Sequence, residues 1–266
     1  MRIVEVQARE ALAPSLLAGY DWALNPYRGC AFDCLYCYAP AVIHEERPWG
    51  RFVDVKRNAP AVLAKELKRA EPGVVGIGTV TDGYQPLEAR YHVTRYCLDV
   101  LLRAQFPVSI QTKSSLVLRD LERIRRFEDA EVGVTVTTMD DAARRRFEPF
   151  SSPTPRRLET LRALNGAGVR TWAFVGPILP ETTERTLESL LEGIRDSGTR
   201  RVLYDRLRFR PGVWERIAPA AGDAGIVPAY LAARDRPWVA RSVEARLEDL
   251  ARDLGLAVEP AFLGPD

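Results

Sequence analysis

Three of the chain's four cysteines, Cys30, Cys34 and Cys37, fall within the stretch "NPYRGCAFDCLYCYAP". The spacing C-x3-C-x2-C sets three thiols on one short loop. Three thiolates so placed can take three corners of a cubane iron–sulfur cluster. The fourth iron then stays open to a small molecule, as the open position of a catalytic metal centre does. A structural zinc site needs four protein ligands, and the candidates for the fourth are His44 and the distant Cys97. Three unrelated core thiols are a further reading, opposed by the neighbouring Gly29 and polar Asp33. A disulfide framework is not indicated by so few, so unevenly spaced cysteines. Cys97 shares a helical face with Val93, Val100 and Leu101, and is expected to be a packed core thiol.

That loop needs a frame, and the chain offers a repeating one. "DWALNPYRG" (21–29) reads as a first strand and "NAPAVLAKELKRA" (58–70) as its helix. "VVGIGTVTD" (74–82) is a strand, followed by helical spacing in "RYHVTRYCLDVLLRAQ" (90–105). "PVSIQTK" (107–113) and "SSLVLRDLERIRRF" (114–127) are the next strand and helix. The strand "AEVGVTVTT" (130–138) precedes helical stretches at 140–147 and 156–165. "VRTWAFVGPIL" (169–179), the capped helix 181–198 and the strand "TRRVLYDRLRF" (199–209) complete six β/α units. Alternation of this kind predicts an α/β fold with a parallel sheet and right-handed crossovers. Six units make an open, partial (β/α)6 barrel of TIM type, with active residues at the carboxyl ends of its strands. Residues 1–20 read as an irregular lead-in, 21–210 as the core domain and 211–266 as a C-terminal helical extension packed on it.

Composition narrows the class. The chain has 266 residues, 46% hydrophobic and 28% charged, the balance of an ordinary soluble protein. A net charge of +2 does not by itself mark a nucleic-acid binder. No apolar run approaches the ~20 residues of a membrane span. The N-terminus is interrupted by Glu5, Arg9 and Glu10, which is not a signal peptide, so a cytoplasmic location is expected. The 38 basic residues divide into 34 Arg and 4 Lys, which makes Lys113 conspicuous at a strand end. The arginines of "RIRRF" (123–127) and "RRRFEP" (144–149) read as solvated helix faces. Arg206, Arg208 and Arg210, alternating on the last strand, are the better candidates to hold phosphates.

The motif C-x3-C-x-Φ-C, with Tyr36 at Φ, resembles the signature of the radical S-adenosylmethionine (radical SAM) superfamily. The text "NPYRGCAFDCLYCYAP", "TDGYQPLEARYHVTR", "TKSSLVLRDLE", "VTVTTMDDAARRRFEP" and "GPILP" is similar to its spore photoproduct lyase-like branch, also called DNA repair photolyase-like. The likeness runs from about Leu24 to Arg210. It implies that Cys30, Cys34 and Cys37 hold a [4Fe–4S] cluster whose unique iron chelates the methionine part of S-adenosylmethionine. One electron then yields a 5′-deoxyadenosyl radical that abstracts hydrogen from substrate. It also implies an electron donor such as a flavodoxin or ferredoxin.

Within that resemblance, Gly78, Thr79 and Asp82 become candidates for the methionine amino group. The glycine pair Gly76 and Gly78 is explained equally well by tight packing. Lys113 becomes a partner for the methionine carboxylate. Thr135 and Thr137, two apart and so on one face, offer hydroxyls to the ribose, or simply fill a strand. Tyr36 packs on the cluster and adenine, and Tyr38 is the candidate for hydrogen transfer. One departure stands out. Photoproduct lyases carry a hydrogen-donating cysteine near the end of strand two, where this chain has "GIGTVTD". The expectation is therefore a radical SAM enzyme that is not a true spore photoproduct lyase. Its substrate could be nucleic acid, peptide or small metabolite. The rival is a non-enzymatic iron–sulfur or zinc scaffold or electron carrier.

Overall fold

Short apolar runs between amphipathic helices can be covered on both faces only in a sheet of parallel strands. The computed structural model, which describes residues 1–262, has that sheet. The strands are β1 (Arg2–Val6), β2 (Leu12–Pro14), β3 (Trp22–Leu24), β4 (Tyr27–Arg28), β5 (Phe52–Lys56), β6 (Val75–Ile77), β7 (Val108–Thr112), β8 (Ala130–Thr135), β9 (Arg170–Ile178), β10 (Arg201–Arg206) and β11 (Ala257–Pro260). The main sheet runs β11-β10-β9-β8-β7-β6-β3-β2, parallel throughout except for β2 on β3. β3 to β10 along this order are the six expected units, and among the described residues β2 and β11 end the sheet without pairing to each other, so the barrel is open and partial.

Alternation along the strands divides core from lumen. Val75, Ile77, Val108, Ile110, Val132, Val134, Ala173 and Val175 join one apolar core with helix residues such as Leu98, Leu101, Leu161 and Leu190. The intervening residues face the lumen. A Cβ on Gly76 would collide with the Tyr20 ring, and one on Gly133 with the Trp172 indole. Gly76 is thus explained by packing: the lumen below the strand ends is filled with aromatic rings.

Several elements differ from the sequence reading. Residues 1–20 are not irregular, since β1 pairs with β5 and β2 edges the main sheet. Both strands are largely exposed, so they carry little hydrophobic signal. The run 21–29 is two strands in two sheets: β3 enters the barrel, while β4 joins β1 and β5 in a small sheet, order β1-β5-β4. The helix expected over 90–105 breaks at His92, whose φ is 55°. The cause is Glu88, which folds back to cap the second segment, accepting from Thr94 N at 2.9 Å and Arg95 N at 3.2 Å. The helix expected from Ser114 opens with a 3-10 turn, Ser115–Asp120. The last strand ends at Arg206, so Arg208 and Arg210 lie beyond it.

The C-terminal extension comprises helices Val213–Asp223, Val227–Asp235 and Pro237–Asp253 and then β11, which adds to β10; residues 263–266 lie outside those described. Among the described residues no helix is long and apolar enough to cross a membrane.

Candidate active site

The cysteine loop leaves β4 at Gly29, whose φ of +86° only glycine adopts easily and whose Cβ would collide with Phe52 O. A fully buried glutamine then pins it. Gln85 Oε1 accepts from Ala31 N at 2.9 Å, and Gln85 Nε2 donates to Gly29 O at 3.3 Å. Thr81 Oγ1 donates to the same carbonyl at 2.7 Å. Further on, Leu35 N donates to Phe147 O at 3.0 Å, and Cys37 N to Cys34 O at 3.1 Å. Cys30 and Cys34 are buried and Cys37 is half-buried.

Burial raises the pKa of all three thiols, Cys30 to about 12. Positive groups oppose this: the Lys113 ammonium at Cys34 and Cys37, and the Arg216 guanidinium at Cys37. The indole nitrogen of Trp49, buried in the same apolar cluster as Cys30 and Cys34, has no hydrogen-bond partner among the described residues. Buried thiols, nearby cations and an orphaned N–H fit an anionic thiolate–metal group. Among the described residues no three His, Cys, Asp or Glu side chains gather around one ion position. A cubane does not ask for that, since each of its thiolates meets a different iron. The fourth zinc ligand is not supplied: His44 is exposed, and Cys97 is fully buried in the other core, between sheet and helices.

The strand ends beside the loop are tied by one carboxylate. Asp82 Oδ1 accepts from Thr112 Oγ1 and Tyr84 N, both at 2.8 Å, and Oδ2 accepts from Lys113 N at 2.8 Å. Its pKa is raised, because burial outweighs those donors. Gly78 has φ +101°, and a Cβ there would collide with Gln111 O. Among the described residues the Lys113 ammonium has no hydrogen-bond or ion-pair partner, and its neighbour is the Tyr36 ring, 5.7 Å to the centroid. Burial lowers its pKa, but Cys34 and Glu148 outweigh that and keep it charged.

A second network was not foreseen. The Tyr36 hydroxyl donates to Glu148, which is fully buried and ion-paired with fully buried Arg157. Thr137 Oγ1 donates to the same carboxylate oxygen at 2.9 Å, and Ser151 Oγ to the other at 3.1 Å. Arg157 also donates to Thr135 O at 2.9 Å and Ser152 O at 2.8 Å. Burial would raise the Glu148 pKa, but the charges of Arg157 and Lys113 bring it down to about 2. The reading of "RRRFEP" as a solvated face holds for Arg145 and Arg146, which are exposed, and is corrected for Arg144, which is buried and donates to Glu148 O at 3.0 Å and Ser151 O at 2.9 Å.

Tyr38 lies across the end of β6, its hydroxyl donating to Thr79 O at 2.6 Å, and the residue is 38% exposed. The Thr79 hydroxyl pairs with the Asn25 amide at 2.8 Å. Thus Lys113, Asp82, Thr79, Tyr36, Tyr38 and Thr137 meet around the cysteine loop, and Thr135 joins through Arg157. The arginine face does not assemble. Arg206 pairs with Glu244 at 3.4 Å and Arg208 with Asp205 at 3.1 Å, leaving Arg210 exposed. Sequence reasoning missed Gln85, Glu148 and Arg157. Glu148 and Arg157 lie among other charged residues in the sequence, which hides their burial.

Comparison with known proteins adds three findings. Residues 24–194 match the family model "Radical SAM superfamily". An uncharacterized protein of Methanocaldococcus jannaschii is 33% identical over 185 residues, 68% of this chain and 69% of that protein. Another, of Mycobacterium tuberculosis, is 33% identical over 204 residues, 72% of this chain but only 60% of that protein's length. Among solved structures, spore photoproduct lyase complexed with dinucleoside spore photoproduct aligns with TM-score 0.75 and 16% identity, covering 98% of this chain and 82% of that one. Streptococcus suis SuiB bound to S-adenosylmethionine aligns with TM-score 0.59 and 11% identity, covering 90% and 49%.

Proposed function

Because the chain belongs to the radical SAM superfamily, and so is an enzyme of [4Fe–4S] and S-adenosylmethionine chemistry, we propose that Cys30, Cys34 and Cys37 hold that cluster. When bound, cluster and S-adenosylmethionine supply a 5′-deoxyadenosyl radical for hydrogen abstraction. The chain's own residues bind and orient. Lys113 takes the methionine carboxylate, since its ammonium is charged and, among the described residues, is in no hydrogen bond or ion pair. Gly78 and the backbone at Thr79 offer the close approach the amino group needs, and Asp82 fixes the strand end beside it. Thr135 and Thr137 line the ribose side; the Thr137 hydroxyl gives its proton to Glu148 and keeps its lone pairs for a ligand. Tyr36 walls the site. A one-electron donor such as a flavodoxin or ferredoxin reduces it.

Tyr38 is the hydrogen donor in this reading. The observation that carries it is that its phenol is bonded to Thr79 O, over the strand-two end where no cysteine stands. Cys97 is buried in the outer core and cannot serve. The reaction is accordingly a radical conversion other than thiol-dependent photoproduct repair. The test is anaerobic reconstitution, reduction and measurement of 5′-deoxyadenosine, with and without nucleic acid. Both arms are informative: the fold is shared with an enzyme solved with a dinucleoside, while two of the three strand-end arginines here are paired with carboxylates. Metal uptake without any 5′-deoxyadenosine would restore the electron-carrier reading.

A further inference from the structure

We propose that Gln85 and Thr81 are positioning residues for S-adenosylmethionine: together they set the cysteine loop against Lys113, so that the methionine part meets the cluster and the ammonium at once. The inference rests on the reading of Cys30, Cys34 and Cys37 as cluster ligands and of Lys113 as the carboxylate's partner.

A ligand held at two points binds well only where the spacing of those points matches its own. Supporting hydrogen bonds must then fix that spacing closely. The first point is the loop around Cys30. Gln85 and Thr81 grip the residues on both sides of that cysteine. Gln85 Oε1 accepts from Ala31 N at 2.9 Å, and Gln85 Nε2 donates to Gly29 O at 3.3 Å and to Thr81 Oγ1 at 3.1 Å. Thr81 passes its own proton to Gly29 O at 2.7 Å. Both protons of the Gln85 amide are thus engaged, and the side chain is held in one orientation.

The second point is tied to the same turn, which follows β6. Asp82, between Thr81 and Gln85, accepts from Lys113 N and from Thr112 Oγ1, both at 2.8 Å. The turn itself is anchored from the helices beyond it: Thr94 Oγ1 donates to Gly83 O at 2.5 Å, and Glu88 N to Gln85 O at 2.9 Å. One short segment therefore holds the cysteine loop on one side and the lysine backbone on the other. Gln85 is 0% and Thr81 5% exposed, so neither offers a surface to a ligand. Their effect on binding must pass through the loop they hold.

The experiment compares wild type, Gln85→Met and Thr81→Val as full chains reconstituted anaerobically. Iron content, equilibrium binding of S-adenosylmethionine and the electron paramagnetic resonance spectrum of the dithionite-reduced cluster are measured, the last with and without S-adenosylmethionine. Both variants are expected to keep the wild-type iron content and the wild-type spectrum in the absence of S-adenosylmethionine. They should bind it about tenfold more weakly, the effect of one disrupted buried hydrogen bond. The spectral change on its addition should fade at concentrations that saturate the wild type. In a Lys113→Ala background either change should weaken binding by less than about twofold more, because the ligand no longer spans both points. Wild-type affinity at wild-type iron overturns the proposal, and so do losses that multiply in the double variants. Should one variant lose iron, the other decides by the same measures. Loss of iron from both overturns the proposal, since the clamp then retains the cluster instead of aligning it. A wild type that takes up no iron, or takes it up without binding S-adenosylmethionine, overturns the site reading and this proposal with it.

Discussion

A lysine ammonium beside buried thiols keeps its charge only because negative groups outweigh the loss of water around it. Lys113 is in that position: burial works against its charge, and Cys34 and Glu148 sustain it. Replacing it by alanine is expected to leave iron content intact and weaken S-adenosylmethionine binding by about 1–3 kcal/mol, the worth of a charge-assisted hydrogen bond. Equilibrium binding to the reconstituted variant measures this, and unaltered affinity would return Lys113 to a structural role. For the cysteines, alanine at Cys30, Cys34 or Cys37 should abolish the visible cluster absorbance. Cys97→Ala should retain about four irons per chain and cost on the order of 1 kcal/mol in denaturant unfolding. Tyr38→Phe should still form 5′-deoxyadenosine while losing turnover of the true substrate, and unchanged product formation would leave Tyr38 a packing residue. These residues were legible because their types are rare in the chain or spaced by the chemistry itself. Glu148 and Arg157 were not, because charged residues are common here and nothing in the local pattern distinguishes a buried pair from a solvated one.

At the scale of elements, the buried Glu148–Arg157 pair joins the end of the short helix Asp141–Phe147 to the helix Thr154–Gly166 and, through Thr137 and Tyr36, to the end of β8 and the cysteine loop. Two charges buried together stabilise little as a pair, but removing one partner strands the other. Arg157→Met alone should cost about 3–5 kcal/mol in urea unfolding, and the double change to apolar residues distinctly less. The pH dependence follows from Glu148, whose carboxyl is held at about 2 against an ordinary 4.5. Its folded pKa is depressed, so its contribution is complete above about pH 4.5 and is lost as pH falls towards 2. The stability deficit of Glu148→Gln, measured at pH 7 and again near pH 3, should therefore shrink on acidification. Strand and helix order could be read from periodicity, since apolar alternation is set by the core. The break at His92 could not, because its cause is a capping carboxylate one turn earlier, a contact without periodic signature.

At the scale of the molecule, the cysteine loop is covered from the far end of the chain. Val213, Ile217 and Tyr230 are buried in the same apolar cluster as Cys30 and Cys34, and Tyr230 stacks on Phe147 with centroids 5.8 Å apart. Arg216 Nε donates to Leu35 O at 3.0 Å, and its guanidinium also reaches Cys37 O. Tyr230→Ala should cost about 3–5 kcal/mol, as loss of a buried aromatic does, and lower the iron retained after gel filtration. Wild-type iron retention at reduced stability would confine the extension to packing.

The reach of Arg216 carries a consequence for how the enzyme is made. It is 181 residues downstream of Leu35 in the chain. At roughly 5–20 residues per second of synthesis, the thiols precede their cover by about 10–40 s. During that interval the loop is open to oxygen and to stray metal, and also to whatever machinery delivers iron and sulfide. Once the last helices dock, the Arg216 guanidinium lies on the loop backbone at Leu35 and Cys37. The loop's own backbone carbonyls therefore find their last donor only when the chain is nearly finished.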